Sequence, residues 1–290
     1  MSSPSPSHPP SHPSCITPQQ PVANLSKKQL KRIHKEQLRQ QRKQAQKEAK
    51  KALKVQAKEE KLKKLDSMTE EERKIAFETA KQNRIDNQIN KERKKQRLLQ
   101  CLNDNSSLDI VLDCNYHQVM SEKEVKLTLN QIAYIYGENG QSSHPCRLTL
   151  CSFSPRLREA ISLLHPHFSK WIINVNDQQF YSSTVTGIKS PIYLSADAED
   201  VLEDVTKDNC YIVGAIVDRN RLKGQAFEAA SHCGVLSRRL PIQEHVQLSS
   251  SAVLTSFHVV CLLRERFNGA SWRQALEKVL PPRKVEQWLD

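Results

Sequence analysis

CYIVGAIVDRNRLKG, residues 210–224, decides how this chain is read. Its first eight residues, 210–217, are the most apolar run in the sequence, and Asp218, Arg219, Asn220, Arg221 and Lys223 follow at once. A near-continuous apolar run of this length fits a strand buried on both faces of a parallel sheet. In open α/β sheets ligands sit outside the carboxyl ends of the strands, where this polar cluster falls. Working outward, residues 108–113, 147–153, 171–175, 192–194 and 235–239 also read as strands. Between and after them lie helical stretches: Ser121 and Glu124 cap one running to about 136, and others span 156–164, 221–233, 252–267 and 272–280. Pro281 and Pro282 stop the last. Strands alternating with helices predict an α/β domain, a mostly parallel sheet with helices on both faces.

Upstream the composition changes. The chain has 290 residues and a formal net charge of +12, and the excess is local. Residues 27–100 hold 25 Lys/Arg against 11 Asp/Glu, while the rest of the chain is close to neutral. A concentrated positive field favours a polyanion, and nucleic acid is the commonest; a solvated helical face or an import signal is the plainer alternative. Residues 27–65 are rich in helix formers and free of Gly and Pro. Thr69 and Glu72 have capping-box spacing for a second helix to about 100. The apolar positions of the first are too sparse for a core stripe, and no heptad is sustained across the two. Residues 1–26, dominated by Ser, Pro and His, have little to bury and are expected to be disordered. The expected organisation is therefore a tail at 1–26, a basic helical arm at 27–102 and an α/β domain at 103–290.

Several classes are disfavoured. The eight cysteines form no CxxC pair and no zinc pattern, so neither a metal nor a disulfide framework is expected. No apolar run suits a membrane span. The first 26 residues carry no Lys or Arg, unlike a secretory or mitochondrial leader, so nucleus or cytoplasm is the expected location. GxGxxG, GxxxxGK[ST] and GxSxG are all missing, against a dinucleotide fold, a P-loop and a serine hydrolase.

Three polar stretches fall at strand ends: 194–197, 214–223, and 240–244 with the later 253–255. Asp218 could accept a proton or hold a base edge, with neighbouring cations on phosphate. Alternatively it caps the next helix and the cations face water. His258 reads as a packed core histidine, Trp272 and Trp288 as helical anchors, and Cys210 and Cys233 as inert core thiols.

Beyond these local readings, the carboxy-terminal part resembles a known family. IYLSAD (192–197), YIVGAIVDRNRLKG (211–224), RRLPIQEHV (238–246), VLTSFHVV (253–260) and SWRQALEKVLPPRK (271–284) match in order and spacing. LDCNYHQVMSEKE (112–124) extends the likeness weakly. Together they resemble the tRNA N1-purine methyltransferases that modify position nine, members of the SPOUT superfamily. The resemblance implies a carboxy-terminal trefoil knot whose loops bind S-adenosylmethionine (SAM). The implied cofactor residues are Leu194, Ser195, Gly214, Arg219, Asn220, Lys223, Leu240, Val253, Leu254 and Thr255. Asp218 matches the family's catalytic or base-positioning aspartate, and Asp113 and Gln131 match polar residues on the target-base side. Arg221 is expected to meet the RNA substrate.

Two departures stand out. The family often has paired glycines where this chain has Gly214 and Ala215, and threonine where it has Ser195. The methyl of Ala215 would crowd the pocket if that backbone needs a positive φ. The expected reaction is methyl transfer from SAM to N1 of guanine in tRNA by a monomer. Adenine at the same position, or a non-catalytic tRNA-binding scaffold, are the competing readings.

Overall fold

The computed structural model describes residues 26–187, 189–217, 221–249 and 254–289. The expected tail lies almost wholly outside them. Two compact units are distinguished, Met1–Gln82 and Asn83–Asp290, and they divide inside the second helix, upstream of the compositional boundary at 102/103.

In the first unit, the described side chains of α1 (Lys27–Asp66) are solvent-exposed. α2 (Glu70–Asn103) starts at the expected capping box: the Thr69 amide donates to Glu72 Oε2 at 2.8 Å and the Glu72 amide to Thr69 Oγ1 at 3.3 Å. α1 has no apolar face, as its spacing implied, and rests on helix propensity rather than on a core. The end of α2, in the second unit, is different. Leu98 and Cys101 are buried, and the Cys101 thiol donates to the Pro145 carbonyl.

The second unit is built on a six-stranded parallel sheet. Its strands are β1 (Asp109–Asp113), β2 (Arg147–Cys151), β3 (Asn174–Val175), β4 (Ser190–Leu194), β5 (Asn209–Gly214) and β6 (Leu236–Arg238). Their order is β3-β2-β1-β5-β4-β6, and every pairing is parallel. β1 runs outward to β2 and β3 on one side, and β5 separates it from β4 on the other, a switch in winding direction at the middle of the sheet.

Alternate residues of the central strands feed two cores. Ile110, Leu112, Tyr211 and Val213 join Leu129, Ile132 and Ile135 of α3 (Glu122–Gln141) and Leu157 and Ile161 of α4 (Pro155–Leu164). The same core takes Leu262 and Leu263 of α7 (Ser256–Phe267) and Ala275 and Leu276 of α8 (Trp272–Val279). Val111, Tyr193 and Ile212 face the other way, toward the short α5 (Ser183–Thr186) and α6 (Gln225–His232). Helices therefore cover both faces, as the apolar strands required.

Several boundaries move for local reasons. The strand expected over 171–175 shrinks to two residues because Trp171 leaves the sheet to stack on Tyr136, ring centroids 4.4 Å apart. The helix expected from 221 begins only at Gln225, since Gly224 before it sits at φ 81°. α7 begins after Thr255, whose hydroxyl accepts from the His258 amide. A two-stranded sheet was missed: β7 (Val246–Leu248) pairs antiparallel with β8 (Val285–Trp288). Trp288 thus ends a strand instead of lying on a helix, with the Arg273 guanidinium 4.7 Å from its ring centre. Cys210 is buried as expected, but Cys233 is exposed.

Candidate functional site

The carboxyl ends of β4, β5 and β6 surround a cavity of about 390 Å³, within the usual range for a small-molecule site. Four separate segments wall it. The turn after β4 contributes Leu194, Ser195, Ala196, Asp197 and Ala198. Val213 and Gly214 at the end of β5 come next, with Ile216, Leu222, Lys223 and Gly224 beyond them. Arg239, Leu240, Ile242 and Gln243 follow β6, and Leu254, Ser256 and Val259 enter with α7.

Each wall has a local cause. The Ser195 amide donates to the Arg238 carbonyl at 3.0 Å, extending the β4–β6 pairing into the rim. Ser195 Oγ then accepts from the Asp197 amide at 3.2 Å, and this small turn faces Asp197 toward the loop after β5. There Asp197 Oδ2 accepts from the Gly224 amide at 3.0 Å. The first residue of α7 reaches back: Ser256 Oγ donates to the Gly214 carbonyl at 2.7 Å. Gly214 meets a close neighbour, since a Cβ built there lies 3.2 Å from Ile216 Cδ1. Ala215 is buried and does not adopt a positive φ, so its methyl brings no backbone strain.

Of the ten residues expected to hold the cofactor, Leu194, Ser195, Gly214, Lys223, Leu240 and Leu254 line this one cavity. Thr255 does not; its hydroxyl caps α7 and lies 2.9 Å from His258 Nδ1. Arg219, Asn220 and Val253 fall outside the described residues, as does Asp218. The sequence reading missed Asp197, Ile216, Leu222, Ile242, Gln243 and Ser256 as wall residues. All six stand inside the quoted motifs, so the signal was present at segment level and lost at residue level.

The three expected substrate residues lie elsewhere. Asp113, 1% exposed at the end of β1, is enclosed. Its Oδ2 accepts from the Tyr193 hydroxyl at 2.9 Å and its Oδ1 from the Asn115 amide at 3.1 Å. Burial pushes its carboxyl above the ordinary range, opposed by those donors. Tyr116 OH lies 2.7 Å from Tyr193 OH, and burial raises both phenols. Gln131 stands on α3, and its Oε1 is buried without a hydrogen-bond partner among the described residues. Arg221 donates to Glu124 Oε2 and to the Val119 carbonyl, each at 3.1 Å. His258 is half-buried, and burial followed by nearby Lys284 and Arg283 holds its imidazole below the usual range. Among the described residues no cluster of His, Cys, Asp and Glu suits a metal ion, and no helix is long and apolar enough to cross a membrane.

Comparison with known proteins bears on this geometry. The tRNA (guanine(9)-N1)-methyltransferase of Kluyveromyces lactis is 32% identical over 183 residues, 62% of this chain and 60% of that protein. The tRNA methyltransferase 10 homolog A of Rattus norvegicus is 31% identical over 179 residues, 62% of this chain and 53% of its own length. The chain thus spans between about half and two-thirds of the length of these relatives. The crystal structure of full-length spTrm10 in complex with SAH (S-adenosylhomocysteine) superposes with a TM-score of 0.56 at 29% identity, over 61% of this chain and 95% of that one. The sequence profile of the family described as tRNA (guanine(9)-N(1))-methyltransferase TRM10/TRM10A matches residues 23–285, and with that match the chain belongs to this family.

Proposed function

We propose that this chain methylates N1 of guanine at position nine of tRNA, using SAM as donor. The observation that carries the reading is the convergence of four distant segments on one cavity at the strand ends of a TRM10/TRM10A-family chain. The relative spTrm10 has SAH in its crystal structure, which supports the same donor here.

The cavity's residues fit such a molecule. Leu194, Leu240, Ile242 and Leu254 offer apolar walls for a nucleobase. Asp197 and Lys223 supply opposite charges for the ammonium and carboxylate of an amino-acid end. When bound, SAM supplies a methyl group on a sulfonium, an excellent leaving group. The protein's task is then alignment and exclusion of water. Val213, Ile216 and Leu222 keep that wall apolar, and the Ser256 hydroxyl fixes the Gly214 carbonyl at the cavity edge. Guanine N1 must lose its proton as it is methylated. We assign Asp218 to that proton or to orienting the base.

The reading extends to the rest of the chain. α1 and α2 form an arm whose cations track tRNA phosphates with little base readout. The target base leaves the tRNA fold to reach the site. The carboxy-terminal segments thread as a trefoil knot. The chain works as a monomer in nucleus or cytoplasm, with residues 1–26, 27–102 and 103–290 as tail, arm and catalytic domain.

Unmodified tRNA transcripts carrying G or A at position nine, incubated with the chain and SAM, test this by mass spectrometry of the nucleosides. N1-methylguanosine at position nine is expected, and Asp218→Asn should abolish it while SAH still binds. Methylation at another position, or none, overturns the reading.

A further inference from the structure

The loop after β5 is fastened at the stretch that walls the cavity. Leu222, Lys223 and Gly224 line the cavity, and Arg221 precedes them. On one side the Gly224 amide is held by Asp197. On the other, the Arg221 guanidinium reaches the start of α3, where the Glu124 carboxylate and the Val119 carbonyl both accept from Nη2; none of these three residues lines the cavity.

Glu124 is prepared to receive it. The same Oε2 accepts from the Ser121 amide at 2.7 Å and the Ser121 hydroxyl at 2.8 Å, completing the capping box of α3. The Ser121 amide and hydroxyl, with a smaller contribution from Arg221, hold the Glu124 carboxyl below its usual range. A charged acceptor fixed by its own helix start is a rigid anchor, and a guanidinium reaching two acceptors is directionally committed. A phosphate at Arg221 would have to share a guanidinium whose Nη2 is already engaged by both acceptors.

We propose that Arg221 is a positioning residue whose pairing with Glu124 sets the 222–224 wall of the donor cavity, rather than a ligand of tRNA. The inference rests on the donor-site reading above. It also gives the α3 capping box a second duty, joining a helix start to the cofactor wall.

A double-mutant cycle on the full chain tests it, using Arg221→Met, Glu124→Gln and the pair. Glutamine at this position keeps the capping box but removes the charge. SAH affinity is read by calorimetry, tRNA affinity by anisotropy, and folding by thermal melts. Each single change is expected to weaken SAH binding by about three- to fivefold, the scale of a half-exposed ion pair. The double variant should be no weaker than either single, and tRNA affinity should change less than SAH affinity. Arg221→Lys, which keeps the charge, should fall between wild type and Arg221→Met.

Additive losses would overturn the proposal. So would unchanged SAH affinity with a fall in tRNA affinity in Arg221→Met, which would make Arg221 a phosphate ligand after all. Failure of the wild-type chain to bind SAH would overturn the donor-site reading, and this inference with it.

Discussion

Tyr193 on β4 donates its hydroxyl to Asp113 on β1 across 2.9 Å, although β5 lies between the two strands. With the carboxylate ionised, the one proton on Tyr193 is committed, so Tyr116 must donate to Tyr193 across their 2.7 Å contact. All three side chains are buried. The network runs Tyr116 to Tyr193 to Asp113, and the edge of Tyr116 lies beside Gly214 at the cavity.

Removing the middle donor should therefore be costly. Tyr193→Phe leaves a buried carboxylate short of a partner, a loss of about 1–3 kcal/mol of stability. Tyr116→Phe removes only the outer bond and should cost about 0.5–1.5 kcal/mol. Urea unfolding of the two variants gives the comparison. Equal losses would contradict the assigned direction of donation.

Asp113 also makes a pH prediction. Its folded pKa is raised by burial, so the native state binds a proton more tightly than the unfolded chain. Its contribution to stability is then fully present below the unfolded carboxylate pKa and is lost as pH rises through the folded value. Asp113→Asn removes this dependence. The stability difference, wild type minus variant, should fall as pH rises above the unfolded value and then level off. Thermal melts of both proteins across acid to neutral pH measure it. A difference that rises with pH would exclude the assignment.

At Gly214 the cavity has little room for added atoms. A Cβ there would stand 3.2 Å from Ile216 Cδ1 and 3.5 Å from Tyr116 Cε2. The end of Ile216 can yield to a single methyl, so Gly214→Ala should fold and lose SAH affinity only a few-fold. Gly214→Val adds two more carbons to a filled corner, an overpacking cost of about 1–3 kcal/mol, and should weaken SAH by about tenfold or more. Calorimetry on the two variants distinguishes a graded loss from none.

The arm predicts a salt signature. Lys50, Lys54 and Lys58 recur every four residues on α1, with Lys51 beside the first. If they meet phosphates, changing all four to Gln should lower the slope of log affinity against log salt by about 3, near 0.7–0.9 per lost contact. SAH affinity should stay as in wild type. An unchanged slope in tRNA titrations would remove these lysines from the interface.

Much of the architecture was legible because burial writes itself into composition. The strands at 108–113 and 192–194 and the capping boxes at Ser121 and Thr69 are set by neighbours in sequence, and they formed where local chemistry put them. The β7–β8 pair was not legible, because its two strands are short, half-exposed and separated by α7 and α8. The cavity followed the same division. Segments at strand ends could be named from sequence, but the partners of individual polar side chains could not. Asp113 was named for the target-base side, but nothing in sequence announced its partner Tyr193, whose hydroxyl reaches it from a strand two places away. Arg221 was named for the RNA, and its bond to Glu124, 97 positions earlier, was likewise not legible.

The cavity's walls begin at Leu194 and finish at Val259, which imposes an order on the protein's birth. A chain emerging from the ribosome exposes the lysine-rich helices long before α7 can close the far wall. During that interval the nascent protein already carries its excess of positive charge but not yet a closed cavity. Once the last wall is in place, occupancy of the cavity ties together segments that were made far apart, so the ligand should act as a late fastener of the carboxy-terminal half.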